Sequence, residues 1–376
     1  MRSRHTIEVT QPHMPPLEEY VALLRQVWDA KWLTNNGAMH RRLEGELCEF
    51  LGVEHVSLVA NGTLGLCLAL RAAGVVEGEV ITTPFSFVAT THAISWNGLT
   101  PVFCDIREDT LNLDERKLES LITPRTSAIL PVHVYGTPCA TEKIQAIAER
   151  HGIPVIYDAA HAFGVRSSGR PLVDFGDFGV LSFHATKVFS TAEGGAIICH
   201  DAATKRKIDS LKNFGIEDEV TVSAVGINGK MNELQAAMGL AQLCHMAEAT
   251  AGRRRIAERY RESLARVSGL QFSTPRPGVT ENFAYFPILI DNCLFGVTRD
   301  GVHEYLRAHG VKARRYFYPL ISDFPMYLGH PSSQADQLPV AKWAAERILC
   351  LPIHPGMGME DVVRVVDSVL ANRNEA

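Results

Sequence analysis

The sequence predicts a large α/β domain with a central, mostly parallel sheet, followed by a smaller C-terminal α+β domain. From about residue 55 to 200, short apolar runs alternate with turns and amphipathic stretches, which is typical of a sheet with helices on both faces. The runs are continuously apolar, as expected of strands covered on both sides. With 376 residues, the chain is long enough for roughly two domains. We place them at 1–250, including an N-terminal helical segment, and 251–376.

Seven short apolar runs are the predicted strands of the first domain. They cover residues 55–60, 79–84, 100–105, 127–132, 153–158, 178–183 and 195–200. Helical patterns lie between the first five of these runs, for example at 63–74 and 140–152, where Gly152 fits a helix C-cap.

The pattern changes after residue 200. Residues 232–267 have the apolar spacing of one long helix, and its length suits a bridge between two domains. After a Pro-rich turn, the sequence predicts a strand at 283–290. Helices are predicted near 298–309, 338–347 and 359–371.

The composition excludes several classes of protein. A net charge of -5 provides no basic face for nucleic acid and no polybasic patch for a membrane. The opening stretch MRSRHTIEVTQPHMPP lacks the apolar core of a secretory signal, and no run approaches the roughly 18 apolar residues of a membrane span. The eight cysteines are scattered without a C-x-x-C spacing, which favours free thiols. We therefore expect a cytoplasmic protein without a metal site, and no nucleic-acid or membrane partner.

Ligands of open α/β sheets bind at the carboxyl ends of the strands, and four features fall at such ends. The first is Asn61-Gly62-Thr63, which closes a strand and opens a helix. A helix N-terminus offers free N–H groups and a positive dipole end to a phosphate. The alternative for this feature is a plain helix cap.

The second feature is PFSFVATTHA (84–93), which places Phe85 and Phe87 directly after a strand. An aromatic ring at this point stacks on a flat heterocycle or packs in the core. Taken alone, this motif favours core packing.

The third feature is YDAAHAFG (157–164). Asp158 follows an apolar run, so its carboxylate would be partly removed from water, which is unfavourable without a partner. A protonated heterocycle nitrogen would serve as that partner, and His161 could face the same ligand. The alternative is an aspartate that caps the following helix.

The fourth feature is SFHATKVFSTAEGGA (182–196), between two predicted buried strands. Ser182 and His184 could donate to an anion, and Lys187 has no neighbouring acid in HATKVFS. A partly desolvated amine has a lowered pKa and attacks aldehydes. The alternative is an ordinary surface charge, which most lysines are.

In this order, the four features are the parts needed to hold pyridoxal phosphate. They supply a phosphate cradle, an aromatic ring, a buried acid for the pyridine nitrogen and a lysine for the aldehyde. The combination predicts an enzyme in which Lys187 binds the cofactor covalently and later moves the proton between Cα and C4′.

With these residues in view, the chain resembles the DegT/DnrJ/EryC1/StrS family of sugar aminotransferases, which are pyridoxal-phosphate enzymes of fold type I. The resemblance runs from about residue 17 to 370. It rests on motifs in the family's order: NGT, PFSFVAT, VHVYG, DAAHAFG, SFHATK with EGGA, GINGKMNELQAAMG and LPIHPGM.

The resemblance implies a role for each matched residue around the cofactor ring. Lys187 matches the lysine that binds the aldehyde, and Asp158 matches the partner of the pyridine nitrogen. His161 stands where the family places a residue near the ring hydroxyl, often Gln. Phe87 matches the aromatic side chain stacked on the ring.

The resemblance also implies contacts to the cofactor phosphate. Gly62, Thr63 and Ser182 match contacts made within one subunit. Asn228 resembles an asparagine that reaches the phosphate of the neighbouring subunit, which implies a homodimer with active sites at the interface. The chain departs from the family at Gly229-Lys230, where aromatic and basic residues are more frequent.

By the same resemblance, the reaction moves an amino group from L-glutamate to a keto group of a nucleotide-linked deoxysugar. WLTNNGAMHRRLE (32–44) and the Lys187 motif are most similar to members that aminate C4 of dTDP-4-keto-6-deoxyglucose, giving dTDP-4-amino-4,6-dideoxyglucose. For residues 314–319 an ordinary strand and turn is the alternative to a substrate site. The candidate substrate contacts are Lys31, Thr34, Asn35, His184, Arg315 and Tyr318.

Other functions stay open at this point. The motifs do not exclude a 3-keto sugar aminotransferase. Dehydratases of the family carry histidine in place of the lysine, so Lys187 favours transamination. A nicotinamide dehydrogenase would show G-x-G-x-x-G after a strand, and NGTLGL lacks the third glycine. A non-catalytic regulator is disfavoured because both Lys187 and Asp158 are present.

Overall fold

The computed structural model describes residues 5–374 and places all seven predicted strands of the first domain in one sheet. Two hydrogen-bonded groups, β1-β9-β8-β5 and β3-β2-β4, are joined by parallel bridges from Ile129 to Val155 and from Val132 to Asp158. β9 runs antiparallel to both of its neighbours, and the other adjacent strands are parallel. The mostly parallel sheet is therefore confirmed. The strands are β1 His55–Val59, β2 Glu79–Thr82, β3 Thr100–Phe103, β4 Thr126–Ile129, β5 Ile156–Asp158, β6 Arg166–Ser167, β7 Arg170–Pro171, β8 Phe178–Ser182, β9 Gly195–Cys199, β10 Leu270–Phe272, β11 Val279–Thr280, β12 Phe286–Ile290 and β13 Ile348–Leu351.

Helices connect most of the parallel strands, because a parallel connection has to cross back over the sheet. β1 to β5 are joined in turn by α3, α4, α5 and α6, whereas β8 and β9 are joined by the Lys187 segment, in which no helix is assigned. The helices are α1 Leu17–Ala30, α2 Ala38–Leu51, α3 Gly62–Ala72, α4 Ala89–Trp96, α5 Glu115–Leu121, α6 Thr141–His151, α7 Ala202–Leu211, α8 Glu233–Leu243, α9 Met246–Leu264, α10 Asn292–Phe295, α11 Arg299–Ala308, α12 Pro339–Arg347 and α13 Met359–Asn374.

The single long helix predicted at 232–267 is wrong, because the chain forms α8 and α9 with a break at Cys244 and His245. His245 has φ −105° and ψ 4°, which lies outside the α-helical region. The two helices pack in different cores: Leu240 of α8 lies with α2, and Tyr260 of α9 lies in the C-terminal part. The apolar spacing continues across the break, so the sequence did not reveal it.

The C-terminal part is built on the antiparallel sheet β10-β12-β13, and its predicted helices are present as α11, α12 and α13. Its core includes Ile288, Val302 and Val365, and also Ile7 from the N-terminal segment. Fully burying one such side chain contributes about 1.5–3 kcal/mol. The boundary at residue 250 stays a prediction, and the first four and last two residues of the predicted ranges lie outside the described residues.

A further apolar cluster joins the sheet to the C-terminal part. Phe85 and Tyr135 come from loops at the carboxyl edge of the sheet, while Phe317, Leu338 and Ile348 come from the C-terminal part. The sheet edge that is expected to bind ligands therefore lies against the C-terminal residues. Within residues 5–374, no helix has both the length and the apolar character needed to cross a bilayer.

Candidate active site

Close packing of backbone brings three chain segments together at one corner of the sheet. A Cβ atom on Gly62 would lie 2.9 Å from Cβ of Ser182, and one on Gly195 would lie 2.9 Å from the backbone nitrogen of Gly62. Only glycine fits at such distances, so the first turn of α3 meets the end of β8 and the start of β9. Asn61 caps α3 by accepting from the Leu64 N–H at 2.9 Å. The earlier N–H groups have no partner within the helix, and they lie beside Ser182.

Asp158 is the last residue of β5 and is 6% exposed. Its carboxylate accepts from Thr90 Oγ1 at 2.7 Å and from the Ala160 N–H at 3.1 Å. The Thr90 hydroxyl also lies 2.8 Å from Ser86 Oγ. Burial raises the pKa of Asp158, while these hydrogen bonds and the charge of Lys187 act in the opposite direction. The acid is thus held in place but not neutralised by an adjacent ion pair.

Lys187 lies in the connection between β8 and β9, in a turn where its N–H donates to the His184 carbonyl at 2.8 Å. Its half-buried side chain donates from Nζ to the Tyr285 hydroxyl at 3.5 Å. Burial lowers the pKa of Lys187, whereas the charge of Asp158 and the Tyr316 phenol oppose that shift. The amine is therefore easier to deprotonate than that of a surface lysine, which favours nucleophilic attack.

His161 lies beside this pair and is 5% exposed. Its Nδ1 accepts from the Tyr135 N–H at 3.1 Å, and its ring is nearly parallel to that of Phe317 at 6.1 Å. Burial and the charge of Lys187 lower its pKa well below the usual range. A neutral imidazole that accepts at Nδ1 carries its proton on Nε2, so His161 has one donor left for a ligand.

The two phenylalanines of the PFSFVAT motif have different environments. Phe85 is fully buried between Tyr135 and Phe317, while Phe87 is 58% exposed. Phe87 precedes Thr90 by one helical turn, and Thr90 holds Asp158. Leaving this ring exposed forgoes about 2 kcal/mol of burial free energy, so its open face is available to a ligand or partner.

Asn228 is exposed and lies in a bridge with Asn213. Within residues 5–374, no hydrogen bond connects its side chain to the Lys187 region. The following Gly229-Lys230 extends the sheet edge, because Ala60 donates to the Gly229 carbonyl at 2.7 Å and Lys230 bridges Val59.

Lys31, Thr34 and Asn35 lie in the exposed turn between α1 and α2. Glu233 holds the neighbouring backbone: its N–H donates to the Leu33 carbonyl at 3.0 Å, and its carboxylate accepts two N–H groups at the start of α2. The three predicted substrate contacts therefore project from an ordered turn.

The remaining predicted substrate contacts lie in two places. His184 is exposed near Lys187, where its ring contacts Thr186 Oγ1 at 2.9 Å. Arg315 donates to Asp300 at 2.9 Å and lies 5.3 Å from the Tyr318 ring centre.

Sequence reasoning missed four residues that hold the site together: Thr90, Tyr135, Asn282 and Tyr285. Thr90 had a signal, because it follows Phe87 by one helical turn. The Asn282 amide donates to the His161 and Phe163 carbonyls at 2.8 and 3.0 Å. The last two, Asn282 and Tyr285, lie more than a hundred residues after Asp158 in the sequence, and no local pattern indicated them.

A cleft of about 270 Å³ lies next to this site. Tyr135 and Tyr285 line it, together with the ion pair of Arg261 and Glu281. Neither Lys187 nor Asp158 is among its lining residues. The cleft therefore adjoins the Lys187 region and shares Tyr135, Tyr285 and Asn282 with it.

Comparisons with known proteins agree with this geometry. The model of the DegT/DnrJ/EryC1/StrS aminotransferase family matches residues 17–370. The dTDP-4-amino-4,6-dideoxy-D-glucose transaminase of Escherichia coli is 51% identical over 97% of this chain and 98% of that protein. The transaminase of the same name from Shigella dysenteriae is 49% identical over 96% and 98% of the two chains.

Among solved structures, DesI in the presence of its TDP-sugar product has a TM-score of 0.93 at 38% identity, covering 99% of this chain and 95% of that one. The fold class and family expected from the sequence are confirmed. The chain belongs to the DegT/DnrJ/EryC1/StrS aminotransferase family and is an aminotransferase.

Proposed function

We propose that this protein uses pyridoxal phosphate to transfer the amino group of L-glutamate to C4 of dTDP-4-keto-6-deoxy-D-glucose, giving dTDP-4-amino-4,6-dideoxy-D-glucose. One observation carries the proposal. The partly desolvated amine of Lys187 interacts electrostatically with the buried carboxylate of Asp158 at the carboxyl edge of the sheet. The pair combines a nucleophilic amine with a carboxylate that lacks a full counter-charge.

The residues present fit pyridoxal phosphate. Asp158 is desolvated and has one charge to offer a ring nitrogen, and Lys187 has an amine for an aldehyde. The glycine-lined corner at Gly62 would take the phosphate with Thr63 and Ser182, because a side chain at position 62 would close it. When bound, the cofactor supplies the electron sink for amino transfer.

The chain's own residues would orient the reactants and move protons. Thr90 holds the Asp158 carboxylate by a hydrogen bond. The carboxylate would keep a proton on the pyridine nitrogen of the bound cofactor. His161 offers its Nε2 proton to a ring hydroxyl, and Phe87 offers an exposed ring face. Lys187 acts as nucleophile and then, as a free amine, as the base that takes and returns a proton.

The relatives support this choice of substrate. The Escherichia coli and Shigella dysenteriae proteins are named for dTDP-4-amino-4,6-dideoxy-D-glucose, and each is aligned over nearly the whole of both chains. DesI was solved with a TDP-sugar product. We place the sugar nucleotide against the turn with Lys31, Thr34 and Asn35, near His184, and against Arg315 and Tyr318.

We infer that the enzyme is a homodimer in which Asn228 reaches the phosphate site of the second subunit. Three apolar side chains on the segment before Asn228 are largely exposed in the single chain: Val220 at 91%, Val222 at 66% and Val225 at 98%. Several exposed apolar side chains on one short segment support a protein interface there.

The dimer is tested by sedimentation. Val220→Asp together with Val225→Asp should convert dimer to monomer, whereas Val76→Asp, at a 59% exposed valine in the turn before β2, should leave the dimer intact. A wild-type monomer with full activity would overturn this part of the proposal.

We place the reaction in the cytoplasm. All eight cysteines fall in the described range and are free, and a reducing compartment keeps them so. Protein from cell extracts is alkylated without a reducing agent and examined by mass spectrometry. All eight cysteines should be found as free, alkylated thiols.

The first experiment is an absorption spectrum of the purified protein with pyridoxal phosphate, before and after L-glutamate. We expect a visible band that disappears on addition of glutamate. dTDP-4-keto-6-deoxy-D-glucose should then restore the band, and a 3-keto isomer should not. Restoration by the 3-keto sugar alone would favour the 3-aminotransferase, and a protein that never binds the cofactor would overturn the proposal.

A further inference from the structure

Tyr285 immediately precedes β12, and neither the motifs nor the comparisons give it a role. Its hydroxyl accepts a hydrogen bond from Lys187 Nζ at 3.5 Å. In the part of the chain that the structure describes, no other side chain hydrogen-bonds to this amine. Tyr285, from the C-terminal part, therefore contacts Lys187, which lies between two strands of the large sheet.

Three aromatic contacts determine where the Tyr285 ring lies. Its ring centre is 4.7 Å from that of His161, 5.6 Å from that of Tyr135 and 5.9 Å from that of Tyr316. The Tyr316 ring stands at 89° to it, an edge-to-face geometry that aromatic pairs favour. With the ring confined on several sides, its hydroxyl has few alternative positions.

The backbone before Tyr285 is also held. Asn282 donates to two carbonyls of the loop after β5, those of His161 and Phe163, and its Oδ1 accepts from the Ala284 N–H at 3.0 Å. This loop carries His161 and directly follows Asp158, the last residue of β5. Tyr285 is therefore positioned relative to the acid and to the lysine at once.

The charges around this pair favour a neutral phenol. Burial raises the pKa of Tyr285 above its usual range, and the Arg253 charge opposes this only in part. The groups that face Lys187 are Asp158, His161 and Tyr316. A neutral phenol oxygen that accepts from Nζ favours the charged ammonium form, against the desolvation that disfavours it.

We propose that Tyr285 is a positioning residue for Lys187. Its hydroxyl limits the amine to one orientation and supports the protonated form of that amine. The proposal rests on the proposed function of Lys187. It assigns to the C-terminal part a direct influence on the reactive amine.

The test is Tyr285→Phe, which removes one oxygen and keeps the ring. In the cofactor-free protein, acetylation of Lys187 by acetic anhydride is followed across pH by mass spectrometry of its peptide. Because a hydrogen bond that favours the charged amine is lost, Lys187 should react about tenfold faster near neutral pH. Its labelling midpoint should move to lower pH.

The loaded enzyme gives a second readout. Without the hydroxyl, the amine samples more orientations, so kcat should fall about tenfold while the KM for L-glutamate changes less than about twofold. A change in KM alone would contradict a role in positioning the amine.

Tyr260→Phe is the matched control. Tyr260 is fully buried in the C-terminal core, and its hydroxyl donates to the Pro352 carbonyl at 2.8 Å. This variant should lose some stability and keep the wild-type labelling profile of Lys187. If Tyr285→Phe behaves like Tyr260→Phe in labelling and kcat, the proposal is wrong.

Cofactor binding and the Tyr285 hydrogen bond have separate readouts. A wild-type protein that never binds pyridoxal phosphate would overturn the proposed function. A shifted labelling profile in the cofactor-free Tyr285→Phe protein would still support the positioning role, because that readout involves only the chain's own lysine.

Discussion

Lys212 is buried and Lys187 is half-buried, and the two side chains differ in their partners. Lys212, just after α7, is 5% exposed, and its Nζ lies 2.7 Å from Asp209 Oδ1, 3.5 Å from Glu44 Oε1 and 2.8 Å from Ser57 Oγ. Lys187 has the phenol of Tyr285 at 3.5 Å. In residues 5–374, no carboxylate lies within ion-pair distance of its amine.

We infer from this difference that pairing, more than burial, separates the structural Lys212 from the proposed nucleophile Lys187. The Lys212 amine is engaged by two carboxylates and a hydroxyl, so it is not free to attack an aldehyde. Burial lowers the pKa of Lys187, and Asp158 counteracts this only from a distance. Its amine therefore deprotonates more readily and can attack an aldehyde.

The largest expected effect is the loss of amino transfer when Lys187 is replaced. Lys187→Ala removes the nucleophile and the base together, so amino transfer should fall by about 10⁴-fold or more. Turnover with L-glutamate and the keto sugar measures it. Wild-type rates in this variant would end the proposed mechanism, and a denaturation curve like that of the wild type would exclude unfolding as the cause.

The next effect is that of the acid that faces Lys187. Asp158→Asn keeps an oxygen for the Thr90 hydroxyl and removes the negative charge. Activity should fall about 10²- to 10³-fold with folding intact, because a fixed charge that stabilises the reacting system is lost. Full activity in Asp158→Asn would show that the acid is assigned wrongly.

The structural lysine should show the opposite behaviour. Lys212→Met removes a buried partner of Asp209 and Glu44, which keep their ion pairs with Lys205. The free energy of unfolding should therefore drop by about 2 kcal/mol. Urea denaturation measures the loss. Amino transfer per folded molecule should stay at the wild-type rate, and a large loss of kcat would contradict the distinction between the two lysines.

The smallest effect concerns His40, which is 1% exposed beside the Lys212 pairs. Both of its ring nitrogens lack a hydrogen-bond partner among the described residues. Burial, then the charge of Lys212, lowers the pKa of His40 from 6.5 to about 4, although Glu44 opposes the shift. Its contribution to stability is therefore complete above about pH 6.5 and is lost as the pH falls toward 4.

His40→Met removes this titration and keeps the volume similar. Between about pH 7 and pH 5, the wild type should lose about 2 kcal/mol more of its unfolding free energy than the variant does. Denaturation curves at both pH values measure the difference. Parallel pH profiles for the two proteins would show that His40 is not an acid-sensitive point of the Lys212 region.

Much of the fold followed from local patterns. The seven strands lie where continuous apolar runs predicted them, because strands covered on both faces need such runs. Since parallel strands end at one edge, the motifs that follow them had to converge, and the structure brings Asp158, His161 and Lys187 together there. The break between α8 and α9 was not visible, because both helices bury apolar stripes of the same spacing.

Motif order along the chain was sufficient to identify the family. It also predicted the roles of Lys187 and Asp158, because these residues are local to strand ends and turns. The tertiary structure decided which groups surround them. Tyr285 meets Lys187 and Asn282 meets His161 across about a hundred residues of sequence. The pairing of Lys212 depends on side chains from α2, β1 and α7. Charge stabilisation depends on distances between such groups, and these distances exist only once the elements have packed.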